Sequence, residues 1–346
     1  MDPLTLTLKT LTPLWTGGVE TGKMERIHET GIIGSLRWWY EAIVRSLGGH
    51  ACDPTTHACI YDTDKPKNGL CDVCQLFGAT GWRRRFRLAI VDDHTELVWT
   101  PADQMLNIRP PDRNRGWFLP AGRMGTFALR IDGDSKTRSQ LIALLLFLER
   151  WGNLGAKSQL GYGLFQIERR EDIAGHAAKW QLMGTNPPDN NLPDLRCFGF
   201  FRYQFHPRQP GWWVRIPGIE RVATRVRPLA SQHSTIPVTP ALKNEWRYHR
   251  WQSAWGKAHD FFGTLRPDRI RSKVAVSWAY PQTNDWEVRG YAWLHDVPRQ
   301  SVWAMFGDPN LWQKVLGEPG SLNLHPATPW QVLSATEVQQ FLEATQ

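Results

Sequence analysis

Leu4, Leu6 and Leu8 alternate with Thr5 and Thr7, and this period of two predicts a strand over 4–11. A glycine-bearing polar loop over 12–30 follows. The period then becomes helical. Leu36, Trp39, Tyr40, Ile43, Val44 and Leu47 recur at i, i+3, i+4, i+7, i+8 and i+11 and predict a helix within 30–49. Ser35 is placed to cap its start, and Gly48-Gly49 to end it. Further strands are predicted over 86–91, 125–131 and 164–167, and a helix over 139–151, apolar on most sides and so buried. The order strand, helix, strand, strand, helix, strand is that of a ferredoxin-like or RRM-like fold. A polar, Pro- and Asn-rich segment over 183–194 reads as a linker between domains at 1–182 and 195–346. The second half has a strand pattern over 198–206 and a helix pattern over 241–255. Phe77-Gly78-Ala79-Thr80 is echoed by Phe262-Gly263-Thr264, each after a helix and before an Arg-led strand. The expectation is an α+β chain of tandem ferredoxin-like domains, the second a diverged copy.

Three features depart from a plain apolar and polar pattern. On the first helix, Arg37, Glu41 and Arg45 lie four apart off the apolar stripe, with Trp38 beside them. An aromatic flanked by arginines suits stacking on a base next to a phosphate, or packing on a loop or another subunit. Cys52, Cys59, Cys71 and Cys74 have the spacing C-x6-C-x11-C-x2-C within an insertion over 50–74 that has little core of its own. Four thiolates satisfy a tetrahedral Zn²⁺ and would make it structural, with His50 and His57 as substitute ligands. Free thiols and a redox pair in the CDVC run are the other readings. The run from Gly152 to Gly163 is glycine-rich but is not a P-loop, since Ala156 separates Gly155 from Lys157 and the run follows a helix. Its backbone N–H groups, with Lys157, Ser158 and Gln159, are placed to cradle a backbone phosphate.

Charge narrows the choice of partner. The chain of 346 residues carries a formal charge of +8, which favours an anionic partner, nucleic acid first. There are 19 tryptophans, several beside arginines, and basic clusters recur over 83–87, 109–115, 221–227 and 266–273. The amino end lacks a basic leader, and the apolar run over 141–148 is too short to span a bilayer, so a cytoplasmic protein is expected. Lys23, Arg26 and His28 lie in the loop before the first helix. A histidine with basic neighbours suits a phosphate contact, or general acid-base cleavage of RNA without metal. No GxSxG, HExxH or paired acidic motif is present.

Four motifs in order, ETGIIGSLRWWYEAIV, CDVCQLFGATGWRRRFRL, NLGAKSQLGYG and RIRSKVAVSWAY, resemble the RAMP superfamily, and within it the first-subunit family of the Cmr complex, the type III-B CRISPR effector. The resemblance implies tandem ferredoxin-like folds and a non-catalytic, RNA-binding role in antiviral defence. It implies a cap on the head of the complex that holds the 3′ portion of the guide RNA. The implied partners are guide and target RNA, the sixth Cmr subunit and the backbone subunits. By position it assigns Arg37, Trp38 and Trp39 to the family's helix motif, and Gly155, Lys157, Ser158, Gln159, Gly161 and Gly163 to its glycine-rich loop. The expected RNA surface joins these to Lys23, Arg26, His28, Arg45, Arg83, Arg84, Arg85 and Arg109, with Arg37 and Arg45 directed outward. The second half keeps no full glycine-rich loop, so RNA contacts are expected mainly in the first. The competing readings are a RAMP-type endoribonuclease that processes guide precursors with His28 as base, and a scaffold that binds only protein.

Overall fold

The alternating leucines form β1 (Leu4–Thr10), with Leu6 and Leu8 turned into the core. The computed structural model describes residues 3–99, 104–173, 175–188, 191–265, 267–327 and 332–345. Next comes α1 (Glu29–Ser46), which buries Leu36, Trp39, Tyr40, Ile43 and Val44, the face picked out by the 3.6 period. The helix begins at Glu29, so Ser35 lies inside it and is not its cap. Ser35 Oγ donates to Ile32 O at 2.8 Å and accepts the Gly155 N–H at 2.9 Å, which ties the helix to the glycine-rich loop.

The first half continues with α2 (Asp72–Phe77), β2 (Arg87–Leu97), a small hairpin of β3 (Leu106–Ile108) and β4 (Trp117–Leu119), then β5 (Arg123–Asp132), α3 (Ser135–Trp151) and β6 (Phe165–Ile167). Its sheet has the order β2-β5-β1-β6, and every pair is antiparallel. β2 runs beyond the predicted 86–91, across a register shift between Val91 and His94. α3 starts before the predicted 139, where the Asp134 carboxylate accepts the Thr137 N–H at 2.7 Å and caps it.

The second half comprises β7 (Phe198–Phe205), α4 (Ala223–Gln232), α5 (Thr239–Asn244), α6 (Ala258–Phe262), β8 (Val274–Val276), β9 (Tyr280–Gln282), β10 (Asp285–Trp293), α7 (Arg299–Phe306), α8 (Pro309–Leu316), β11 (Gly320–His325) and α9 (Ala335–Glu343). Its sheet has the order β11-β7-β10-β8, with β9 on β10. Counted within each half, the main strands are β1, β2, β5, β6 and β7, β8, β10, β11. Both sheets then run second, third, first, fourth. The Phe-Gly echo takes the same place in each. α2 ends at Gly78 (φ 89°) and α6 at Gly263 (φ 81°), just before β2 and β8. A Cβ would meet Arg84 N at 2.8 Å in the first turn and Ser272 N at 2.7 Å in the second, so both positions require glycine. The helix predicted over 241–255 is instead α5 followed by a π-helical segment, Glu245–Arg250.

The result is a mixed α/β chain with two large antiparallel sheets, a separate β3–β4 hairpin, and an apolar core continuous between the large sheets. Trp39 lies 4.9 Å from Tyr291, and Phe147 lies 6.0 Å from Phe200, ring centre to ring centre. The predicted linker over 183–194, of which 189 and 190 lie outside the described residues, has no helix or strand before Asp194 and packs on the end of α1. There the Met183 N–H donates to Leu47 O at 2.8 Å. No helix among the described residues is long and apolar enough to cross a membrane.

Candidate nucleic-acid interface and cysteine cluster

Beside the first turns of α1 lies an open groove of about 450 Å³. One wall is α1 itself, through Gly34, Ser35 and Trp38; the other is the loop from Gly155 to Gln159, and Arg271 and Tyr291 of the second half close it. A Cβ at Gly34 would meet nothing within 4 Å, so the helix backbone is bare to the groove. Trp38 is half-buried, edge-on to Trp39 at 4.8 Å, with the Arg271 guanidinium 4.8 Å from its ring centre. Lys157 Nζ lies 4.7 Å from the Trp15 ring centre. Burial first, then the neighbouring Arg269, pull Lys157 below the usual lysine range. Among the described residues, Lys157, Arg269 and Arg271 have no carboxylate in ion-pair contact. Cations gathered without an acid repel one another, and an anion in the groove would relieve that repulsion.

The glycines of the loop serve its shape rather than a cradle. Gly155 (φ 73°) passes so close to Trp15 that a Cβ would meet Trp15 O at 2.4 Å. The N–H groups of Gly155, Ala156, Gly161 and Gly163 donate to Ser35 Oγ, Trp15 O, Ser158 O and Pro13 O. The expected row of free glycine amides is therefore corrected, since the chain itself takes them. The amides of Lys157, Ser158 and Gln159 donate to nothing among the described residues.

Several predicted residues lie elsewhere. Arg37 turns into the cysteine lobe and donates to Glu41 Oε1 at 2.9 Å, Gly78 O at 3.1 Å and Cys74 Sγ at 3.3 Å. Arg45 is buried and donates to Pro193 O at 3.0 Å and Cys52 O at 3.3 Å. The outward orientation expected of both is corrected. Glu41 is buried between them, burial pushes its carboxyl up, and the two guanidiniums offset that cost. Trp39 is a core residue that also borders the groove. In the loop before α1, Lys23 pairs with Glu20, Arg26 with Glu29 at 3.0 Å, and His28 Nε2 sits 2.6 Å from Glu25. Arg83, Arg84, Arg85 and Arg109 are exposed, and none lines the groove.

Of the predicted residues, the fold thus brings together Trp38, Trp39, Gly155, Lys157, Ser158 and Gln159. Three contributors come from the half expected to add little. Arg271 and Lys273 lie in the basic run over 266–273, of which Arg266 is outside the described residues, and border the adjoining pocket. The third, Lys243, carried no signal in the sequence. It is buried and donates to Gln159 O at 3.0 Å, Ser272 Oγ at 3.1 Å and Val274 O at 3.2 Å. Burial, then Arg247, pull it down to about 7 against the hold of these acceptors.

The ligand atoms of Cys52, Cys59, Cys71 and Cys74 all lie within 4.8 Å of one another. Tetrahedral zinc thiolates, with Zn–S of about 2.3 Å, place sulfurs about 3.8 Å apart, so the set can hold a metal ion. Neither His50 nor His57 belongs to the group. The Cys71 N–H points to Cys59 Sγ at 3.3 Å and the Cys74 N–H to Cys71 Sγ at 3.4 Å, bonds that steady thiolates. The Cys71 thiol is pulled down to about 4, by Cys74 first, while burial pushes Cys52 up to about 11. Cys71 ionises easily while Cys52 and Cys74 resist, and a bound cation would offset the charge that thiolates gathered here carry.

Fold and site define a mixed α/β protein with two sheets of matching strand order and an aromatic, cationic groove beside a glycine-rich loop at their seam. Residues 7–166 match the model of the RAMP superfamily. No curated protein matches the chain in sequence. Among solved structures, the chain is similar to Cmr1 from Pyrococcus furiosus in its apo form, at 14% identity and a TM-score of 0.42, over 97% of this chain and 100% of that one. It is also similar to a chain in the type III-B Cmr-beta complex bound to cognate target RNA, at 13% identity and a TM-score of 0.39, over 99% and 98%.

Proposed function

We propose that the chain is a non-catalytic, RNA-binding subunit of a cytoplasmic type III-B CRISPR effector, the Cmr complex. In this reading it is a tandem of ferredoxin-like domains that caps the head, holds the 3′ portion of the guide RNA and abuts the sixth and backbone subunits. The cysteine cluster holds one structural Zn²⁺. The observation that carries the reading is the groove. Three of the four motifs that resemble the RAMP superfamily, around Trp38, Lys157 and Arg271, meet there. Each supplies what a single strand needs: an aromatic face, an ammonium and a guanidinium.

The test is RNA binding by the purified full chain. Trp38→Ala should cost about 1–3 kcal/mol, the worth of one stacked base. Lys157→Ala and Arg271→Ala should weaken unrelated RNAs about equally and lower the salt slope by roughly one each. Wild-type affinity in a folded triple variant sinks the reading. Labelled guide-repeat RNA should stay intact, since His28 is outside the groove lining and held by Glu25. Cleavage that disappears in His28→Ala would point to the endoribonuclease instead.

A further inference from the structure

The fold brings two arginine runs from opposite halves, 109–115 and 221–227, onto one face, and none of their residues lines the groove. The β3–β4 hairpin joins neither large sheet. It lies instead against the second half. Arg225 Nη1 donates to Met105 O at 3.1 Å, and a Cβ at Gly218 would meet the Arg109 carbonyl carbon at 2.8 Å. In the hairpin turn, Asp112 accepts from Asn244 at 3.1 Å and lies 2.9 Å from His249 Nε2. The tip is therefore fixed rather than loose.

Arg109, Arg115, Arg225 and Arg227 are exposed, and among the described residues none has a carboxylate in ion-pair contact. The nearby acids are committed: Asp112 to Asn244 and His249, Glu220 to Arg221 at 3.9 Å. α4 contains no acid at all. Surfaces that exist only to stay in water mix both signs, because like charges held together repel. Beside these arginines, Arg113 stacks 3.5 Å from the ring centre of Tyr248, which is 40% exposed. Guanidinium planes beside an open ring suit a sugar-phosphate chain better than an acidic peptide. The position fits as well. Successive residues of α5 link the two sites, Lys243 to the groove at Gln159 and Asn244 to the hairpin at Asp112.

We propose that this face is a second RNA contact, a phosphate track that takes the strand beyond the groove. It rests on the reading above only for the identity of the polyanion. The test compares unstructured RNAs of about 8 nucleotides, within the span of one single-strand site, and about 40 nucleotides. The full chain carrying Arg109→Gln, Arg115→Gln, Arg225→Gln and Arg227→Gln should bind the short RNA as the wild type does. For the long RNA its salt slope should fall by about 3, four contacts at about 0.7 each. An unchanged slope for the long RNA overturns the proposal. So does loss of polyglutamate binding with RNA binding intact, which would assign the face to an acidic protein. Should the fourfold variant misfold, Arg109→Gln with Arg227→Gln spares the bond to Met105 and should lower the slope by about 1.4. Trp38→Ala separates the two sites. If it weakens neither RNA while the glutamine variants still weaken the long one, the groove reading fails and this one stands.

Discussion

Lys243 holds the groove together from inside. Its three bonds reach Gln159 on the glycine-rich loop, and Ser272 and Val274 on the segment that brings Arg271. Both cationic walls are thus set by one buried ammonium. Its folded pKa, about 7, lies below the 10.5 of a free lysine. The unfolded chain therefore binds more protons between those two values, and stability must rise with pH across that window. Below about 7 both states hold the proton and the cost of the buried charge is felt in full. Melts of the wild type should show this rise from pH 7 towards 10, and Lys243→Met should lack it. Parallel melting profiles for the two proteins would mean that this lysine is not displaced from its free value. Nothing in the sequence marked Lys243, because a lysine in a helical pattern ordinarily lies on the wet face. Arg37 and Arg45 misled for the same reason: periodicity shows that they leave the apolar stripe, not that Glu41 and the cysteine lobe wait for them on the other side.

At the scale of elements, the cysteine lobe and α1 are one unit. Cys74 Sγ accepts from Arg37, Cys52 O accepts from Arg45, and the lobe has few apolar residues of its own. Four thiolates on Zn²⁺ carry net negative charge, and Arg37 is placed to offset it. Metal analysis should find about one zinc per chain, and Cys74→Ser should abolish it. Arg37→Ala should keep the metal but weaken its hold about 10- to 100-fold in competition with a chelator, the usual effect of removing a partner of a ligand. Equal chelator sensitivity in the two proteins would show that the bond to Cys74 is incidental. The lobe was legible because ligand spacing is a local property. So were β1, α1, β5 and β7 from their periods, and the body of α3 from its apolar run, though not its first turn. The α5 and π-helical stretch was not: its Trp and His residues fit a helix stripe, but the chain winds wider from Glu245, where Trp246 packs on Phe306 and Trp312. The β3–β4 hairpin was missed because its strands are only three residues each.

At the scale of the molecule, the repeated strand order suggests two bodies, but the seam argues for one. Trp39 packs on Phe198 and Tyr291, Phe147 and Trp151 pack on Phe200, and the Trp278 indole donates to Leu160 O at 2.8 Å. Charge crosses it too: Arg196, paired with the fully buried Asp194, donates to Arg45 O at 2.8 Å. Separating the halves would expose these rings and strand buried charges, each a cost of several kcal/mol. The halves should therefore unfold together. Denaturant titrations followed by hydrogen exchange in β5 and in β10 should give one midpoint for both. Trp39→Ala, a large-to-small change at the seam, should lower that shared midpoint by about 3–5 kcal/mol of stability. Amides of β10 that stay protected while those of β5 exchange would mean that the halves are independent. The groove would then be a contact between two separate domains rather than a fixed feature of one folded body, because its walls come from both sides of this seam.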